Sequence, residues 1–374
     1  MTSAHIPQPS GTLRAVQVFG ACGGGHVSSL SGGLVARGIE VTVCAPAASA
    51  AAYGFDGTGA RFAPVEIGGR PGPLGEAAAV AALRAACAGT HVVHAHGLRA
   101  GMLASLALTG ARGPALVVTW HPPAPAFGTR AGLTRLLERR VARAATVVLG
   151  ASTDLVDRVR GLGARDARLA PVAFPVPRPR HAPDRDALRA ELGAEKRPLI
   201  LAVGRLEPYK GHDLLLDAAR CWRALDPAPL VAIAGEGSRR AELAARIEAE
   251  DLPVRLLGRR GDVAHLLQVA DLVALPSRWE AHPLIVQETL RAGVPLVATA
   301  VGGVPDLVGD AAVLVPQGDA TALARAVADL LADPARRTAL TTEARAQAAT
   351  WPTEDHTIAQ ILSVYDELTG APAR

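Results

Sequence analysis

Leu199-Ile200-Leu201-Ala202-Val203-Gly204-Arg205-Leu206-Glu207-Pro208-Tyr209-Lys210-Gly211 runs from five consecutive apolar residues into a glycine-bounded loop. An unbroken Leu/Ile/Ala/Val run of this length suits a strand buried on both faces, as in a parallel sheet covered by helices. The first half of the chain opens the same way. Ala15-Val16-Gln17-Val18-Phe19 leads into Gly20-Ala21-Cys22-Gly23-Gly24-Gly25-His26, then into a helical pattern carried by Leu30, Leu34 and Val35. Strand, glycine loop and helix, occurring twice, imply an α/β fold with two Rossmann-like, doubly wound parallel sheets.

Further short β-rich runs alternate with helical stretches outward from these two points. The pattern predicts strands at 15–19, 40–44, 61–65, 92–94, 116–119 and 146–149 in the first half. In the second half it predicts strands at 199–203, 230–234, 254–257, 272–275, 296–298 and 312–315. Between them the proline-rich segment 171–183 can continue neither a sheet nor a helix. At roughly 150 residues per domain, 374 residues make two domains: 1–175, a linker at 176–190, and 191–350. Two such domains facing across a cleft would bring together the carboxyl ends of both sheets, where open α/β sheets bind ligands.

Composition removes several function classes. Hydrophobic residues at 49% and charged ones at 20% exclude a disordered or fibrous chain. Cys22, Cys44, Cys87 and Cys221 are too scattered for a disulfide framework or a metal knuckle, which fits a reducing compartment. The opening residues lack a basic segment followed by an apolar core, so no secretion signal is expected. The uncharged run 113–129 is interrupted by prolines and a histidine, so it is not a membrane helix. These features predict a cytoplasmic protein.

Charge is distributed unevenly. Residues 1–180 carry 18 Arg and 8 Asp/Glu, whereas residues 181–374 carry 21 Lys/Arg and 27 Asp/Glu. The basic half calls for an anionic partner. Nucleic acid is not expected, because aromatics are 3% of the chain and no stacking platform is visible. A phosphorylated substrate or peripheral contact with the inner face of a membrane fits better. The stretch 130–143 puts Arg135, Arg139 and Arg143 on one stripe opposite Leu133, Leu136, Leu137 and Val141. It reads as an ordinary core-facing helix, with contact of its basic face to anionic lipid as the alternative.

The chemistry-bearing residues follow strands. Gly23 and Gly24 precede a helix whose unpaired N–H groups would favour an anion. The dinucleotide fingerprint is absent, since Cys22 stands where its second glycine belongs. Lys196 and Lys210 are the only lysines beside 37 arginines, so a lysine in a glycine-bounded loop suggests a point charge for a diphosphate, with Arg205 adding a planar fork. An ion pair with Glu207 is the structural alternative for Lys210. Gly258-Arg259-Arg260-Gly261 offers Arg260 to a nucleobase or to solvent. Pro276-Ser277-Arg278-Trp279-Glu280-Ala281-His282-Pro283-Leu284-Ile285-Val286-Gln287-Glu288 carries two carboxylates eight residues apart. Along a helix that spacing is about 12 Å, too far for a glycosidase pair. The two glutamates therefore suit separate parts of one extended ligand. His94 and His96 share a strand face; with no evident third ligand they read as structural rather than metal-binding.

Taken together, the glycine-rich first loop, VGRLxxxKG, AGEG, PSxxE, seven residues, E, and GVPLVATxVGG resemble glycosyltransferase family 4. The resemblance runs through essentially the whole chain and is densest from 199 to 314. It implies the GT-B fold and transfer of a hexose-type sugar from a nucleotide-diphosphate sugar to an acceptor hydroxyl with retention of configuration. It also implies no metal or other cofactor. The first domain would bind an unidentified, anionic or membrane-associated acceptor, and the second the donor. By the same resemblance 351–374, with Ile358, Ile361, Leu362 and Tyr365 at helical spacing, crosses back to the first domain.

Carried over by motif, the catalytic set is His121, Arg205, Lys210 and Glu280. Arg205 and Lys210 would bind the diphosphate, Glu280 the sugar hydroxyls and Glu288 the ribose. Gly23, Gly24, His282 and the amides around Pro283, Leu284 and Ile285 would face phosphate and sugar, and Arg260 the base. One departure is Ala281 after Glu280, where the family often has glycine; a φ > 0 there would disfavour alanine. The alternatives are a nucleotide-sugar epimerase or inverting transferase of the same fold, and a catalytically silent GT-B subunit binding a nucleotide sugar or a partner.

Overall fold

The computed structural model describes residues 12–20, 23–68, 72–110, 113–120, 129–171, 173 and 182–370. Its two compact units are Met1–Phe174 with Pro352–Arg374, and Pro175–Trp351.

The first unit is built on seven parallel strands: β1 (Arg14–Phe19), β2 (Glu40–Ala45), β3 (Arg61–Pro64), β4 (Val92–His96), β5 (Ala115–Trp120), β6 (Val147–Gly150) and β7 (Ala167–Leu169). Their order is β3-β2-β1-β4-β5-β6-β7, so the winding reverses between β1 and β4. Burial is nearly complete along β1, β4, β5 and β6, as their Val/Leu-rich runs require. β7 has no sequence counterpart among the expected strands. It is a three-residue edge strand with no apolar run, and its Arg168 is held by Asp166 and Glu367.

The helix Glu354–Thr369 belongs to this unit. Thr353 caps it by accepting from the His356 N–H, and Ile358, Ile361, Leu362 and Tyr365 enter the first unit's core beside Leu30 and Leu34. Tyr365 reaches furthest in. Its hydroxyl lies 2.8 Å from Gln17 Nε2 and 2.8 Å from His94 Nδ1. His94 Nε2 is 2.7 Å from Thr119 Oγ1, and His96 Nε2 is 2.8 Å from Gln17 Oε1. One consistent donor set has Gln17 donating to Tyr365, Tyr365 to His94, and His94 to Thr119. Buried polar groups are thus satisfied pairwise, and this is what the His94-x-His96 pair does in the fold.

The basic helix Thr129–Ala144 departs from expectation. Val141 is buried, but Leu133 and Leu136 are 60% and 64% exposed. Its single acid, Glu138, turns inward onto Arg158.

The second unit carries β8 (Leu199–Val203), β9 (Leu230–Ala234), β10 (Val254–Gly258), β11 (Leu272–Leu275), β12 (Leu296–Thr299) and β13 (Val313–Val315). All are parallel, in the order β10-β9-β8-β11-β12-β13, with the reversal between β8 and β11. Separate apolar layers cover the two sheet faces, one including Leu201, Leu275 and Val286, the other Ile200, Leu215 and Trp222. The expected linker at 176–190 is shorter here. Arg185–Leu192 is already a helix, capped by Asp184 accepting from the Ala187 N–H, with Leu188 and Leu192 in the second unit's core. Residues 174–181 lie outside the described set.

Candidate active site

Reversal of strand order leaves a crevice at the carboxyl ends of the two central strands, because the loops there turn to opposite faces. In the second unit these are the loops after β8 and β11, which hold Arg205–Lys210 and Ser277–Glu280.

Backbone contacts stitch the two loops together. The Arg278 N–H donates to the Tyr209 carbonyl at 2.8 Å. Gly211, at φ 67° and ψ 24°, lets the chain pass so close to Pro276 that a Cβ there would sit 2.0 Å from the Pro276 carbonyl oxygen. A third loop, after β12, joins them: the Gly303 N–H donates to the Glu280 carbonyl at 3.1 Å. Gly302, at φ 52°, leaves room for that carbonyl, which a Cβ would approach to 1.9 Å. The loop after β9 is attached through Leu206 N–H to the Glu236 carbonyl at 2.9 Å.

Lys210 and Glu280 meet at the centre. Nζ and Oε1 are 2.5 Å apart, and both side chains are largely shielded from solvent. The Ser277 hydroxyl donates to the same Oε1 at 2.6 Å. Arg205 is exposed, and its Nη2 donates to the Tyr209 hydroxyl at 2.6 Å. The Arg205 guanidinium and the Lys210 ammonium each lie 5.6 Å from the Tyr209 ring centre, within cation–π range. Glu207 is not the partner of Lys210. Its carboxylate accepts from the Ser238 N–H and hydroxyl, and these bonds hold it below the ordinary carboxylate range.

Glu288 lies one turn into the helix Leu284–Ala292. Burial pushes its carboxyl above the usual value, and no described residue bonds to it. Pro283 is the N-cap of that helix, not its first residue, and Ile285 is buried in the core. At Leu284 and Ile285 the main-chain N–H groups, in the first turn, are what could face a ligand. His282 is half-buried in the preceding loop. Asp251 is the one non-glycine residue at positive φ among the described residues, so Ala281 occupies its place without strain.

Arg260 bonds Asp262 at 2.8 and 2.7 Å and Glu191 at 2.8 Å, which ties it to its own loop and to the helix Arg185–Leu192. Gly23 caps the helix Gly24–Val35 at φ 85° in the first unit, beside the β1–β4 reversal. His121 lies outside the described residues. Residues that the sequence did not single out are Ser277, Tyr209, Thr299 and His212. His212 is buried behind the loop, its Nε2 donating to the Arg205 carbonyl at 3.2 Å, and burial lowers it to about 4. His212 follows Lys210-Gly211 directly, so adjacency was the only available signal.

Known families match both units. The model "Glycosyl transferase 4-like domain" covers residues 23–175, and "Glycosyl transferases group 1" covers residues 184–347. The chain belongs to glycosyltransferase family 4. Its fold is GT-B. Among relatives, a D-inositol 3-phosphate glycosyltransferase of Salinispora arenicola is 34% identical over 257 residues, 63% of this chain and 57% of that protein. A GDP-mannose-dependent alpha-(1-6)-phosphatidylinositol monomannoside mannosyltransferase of Mycolicibacterium smegmatis is 32% identical over 252 residues, 62% of this chain and 65% of that protein. The chain thus spans little more than half the length of the first of these. Among solved structures, Anabaena HepE in complex with UDP superposes with a TM-score of 0.79 at 20% identity, covering 95% of this chain and 100% of that one. For this family 4 chain, no helix among the described residues is long and apolar enough to cross a membrane.

Proposed function

We propose that the chain is a retaining glycosyltransferase that moves a hexose-type sugar from a nucleotide-diphosphate sugar to an acceptor hydroxyl. The observation that carries this is the Lys210–Glu280 pair at the β8/β11 reversal, with Glu288, to which no described residue bonds, one element further on. In this arrangement Arg205 and Lys210 receive the diphosphate and stabilise its charge as it departs. Glu280 accepts from sugar hydroxyls and Glu288 from the ribose. The leaving phosphate takes the acceptor proton; the family resemblance implies no metal requirement, so a chelator should leave turnover unchanged.

A thermal-shift panel with UDP, GDP, ADP and their sugars tests the donor site. Ligand at about 100 times its Kd adds roughly 2.7 kcal/mol. Arg205→Ala is the informative variant, because Arg205 is exposed and outside the buried ion pair, and it should abolish the response. A wild-type protein indifferent to every nucleotide would refute the proposal and favour a silent subunit. An inverted product would favour the epimerase or inverting class.

For the acceptor, the proposal is an anionic, phosphate-bearing molecule at the inner face of a membrane. Both named relatives act on phosphorylated inositols by their descriptions. On the helix Thr129–Ala144, Arg135, Arg139, Arg140 and Arg143 form no ion pair among the described residues, and they share this short helix. Exposed Leu133 and Leu136 beside them complete a surface suited to anionic lipid. Salt-sensitive sedimentation with phosphatidylglycerol vesicles, weakened by Leu133→Ser/Leu136→Ser, is expected. Equal sedimentation with neutral vesicles would count against it.

A further inference from the structure

Among the described residues, the two side chains that hold the Glu280 carboxylate both bind a single oxygen. Lys210 Nζ at 2.5 Å and Ser277 Oγ at 2.6 Å converge on Oε1, and no described residue bonds Oε2. The carboxylate is therefore anchored by one oxygen and presents the other as an acceptor.

The two anchors differ in what a ligand does to them. Lys210 is a charge on a flexible stem, and a diphosphate would compete with Glu280 for it. Ser277 is neutral, fully buried and fixed by the sheet. It lies two residues beyond the end of β11, and its carbonyl accepts from the Thr299 hydroxyl at 2.5 Å, Thr299 itself being fully buried at the end of β12. An arriving anion has no hold on it.

We propose that Ser277 is a positioning residue that keeps the Glu280 carboxylate oriented toward the donor sugar once the diphosphate has drawn Lys210 away. This rests on the donor-site reading above. In the free protein Lys210 and Ser277 share the task; in the donor complex Ser277, held by Thr299, carries it. The donor thereby exchanges Glu280's counter-ion without releasing its geometry.

Titration calorimetry of the full chain with UDP, UDP-glucose, UDP-N-acetylglucosamine, GDP and GDP-mannose separates the possibilities. In Ser277→Ala the nucleoside diphosphate should bind within about two-fold of wild type. The affinity of the matching nucleotide sugar relative to that diphosphate should fall roughly ten-fold, as for one lost hydrogen bond to a charged group. Ser277→Thr, which keeps the hydroxyl, should restore most of the ratio. Thr299→Val should lower the same ratio by a smaller factor, and it carries the test if the threonine does not fit the buried site. An equal loss for diphosphate and sugar would mark Ser277 as merely structural, and an unchanged ratio would show that Glu280 needs no such anchor. Either result overturns the proposal. A wild type that binds none of the five overturns the donor reading itself, and this inference with it.

Discussion

Gly211 and Gly193 form a matched pair for asking whether the close approach of the site loops matters. Both glycines are left-handed, at φ 67°, ψ 24° and φ 73°, ψ 35°. Alanine at either one therefore loses about 1 kcal/mol to backbone conformation alone. What the added Cβ meets is different. At Gly193 the nearest atom is Arg255 Nη1 at 3.6 Å, an ordinary contact with the end of a flexible side chain. At Gly211 it is the Pro276 carbonyl oxygen at 2.0 Å, about 1.4 Å inside the range where van der Waals contact begins. Pro276 is main chain between β11 and Ser277, so one loop must move away from the other. Overpacking of this kind costs roughly 1–3 kcal/mol, bringing Gly211→Ala to a total loss of about 2–4 kcal/mol against about 1 for Gly193→Ala. The displacement also separates Lys210 from Glu280, and a shift on the order of 1 Å at a reacting site costs about 100-fold in rate. Urea unfolding of both variants, followed by donor titration and turnover, measures both effects. Equal stability losses, or a Gly211→Ala protein with wild-type turnover, would refute the reasoning.

Three further perturbations have defined directions. His212, lowered by burial from 6.5 to about 4, takes up its proton more readily in the unfolded chain, so its contribution is complete above about pH 6.5 and is lost as pH falls toward 4. That amounts to up to roughly 3 kcal/mol. Unfolding free energies of wild type and His212→Phe should converge across this window, and parallel curves would exclude the assignment. Glu288, raised by burial, has the opposite sign: stability is complete below its unfolded value and is lost as pH rises through the folded one. Ligand-free Glu288→Gln should therefore melt at or above wild type at pH 8, with the gap narrowing toward pH 4, while its response to nucleotide sugar disappears. Tyr365→Phe removes the hydroxyl shared by Gln17 and His94 and should cost about 1–3 kcal/mol, measurable as a shift in urea midpoint at unchanged slope.

What was legible in the sequence follows from what each feature needs in order to form. Each of the twelve expected strands is present, and the central ones, β1, β4, β8 and β11, are apolar runs buried almost throughout; a central parallel strand declares itself because its neighbours are hydrophobic on either side. β7 was invisible because an edge strand of three residues, Ala167–Leu169, is held by pairing and by the ion pairs of Arg168, neither of which leaves a pattern. Leu133 and Leu136 show the converse failure. Helical spacing places leucines on a common face but does not say what covers that face, and here solvent does.

The site divides along the same line. Residue type announced Arg205, Lys210, Glu280 and Glu288, because each brings a charge into a loop or helix start where a fold has little use for one. Partnership did not show. Arg260 has the same guanidinium as Arg205, yet Asp262 and the distant Glu191 occupy it, while Ser277, a residue of no special chemistry, bonds the central carboxylate. The Lys210–Glu280 pair changes how variants of either should be read. Lys210→Ala removes a diphosphate ligand and also leaves a carboxylate only 6% exposed without its cation, and breaking a buried pair from one side costs about 3–5 kcal/mol. The two single-variant losses must therefore overlap, and the double variant Lys210→Gln/Glu280→Gln should be more stable than Lys210→Ala alone while binding the donor no better. A sum of independent losses in that cycle would mean that the pair is not coupled, and that diphosphate and sugar are held by separate devices.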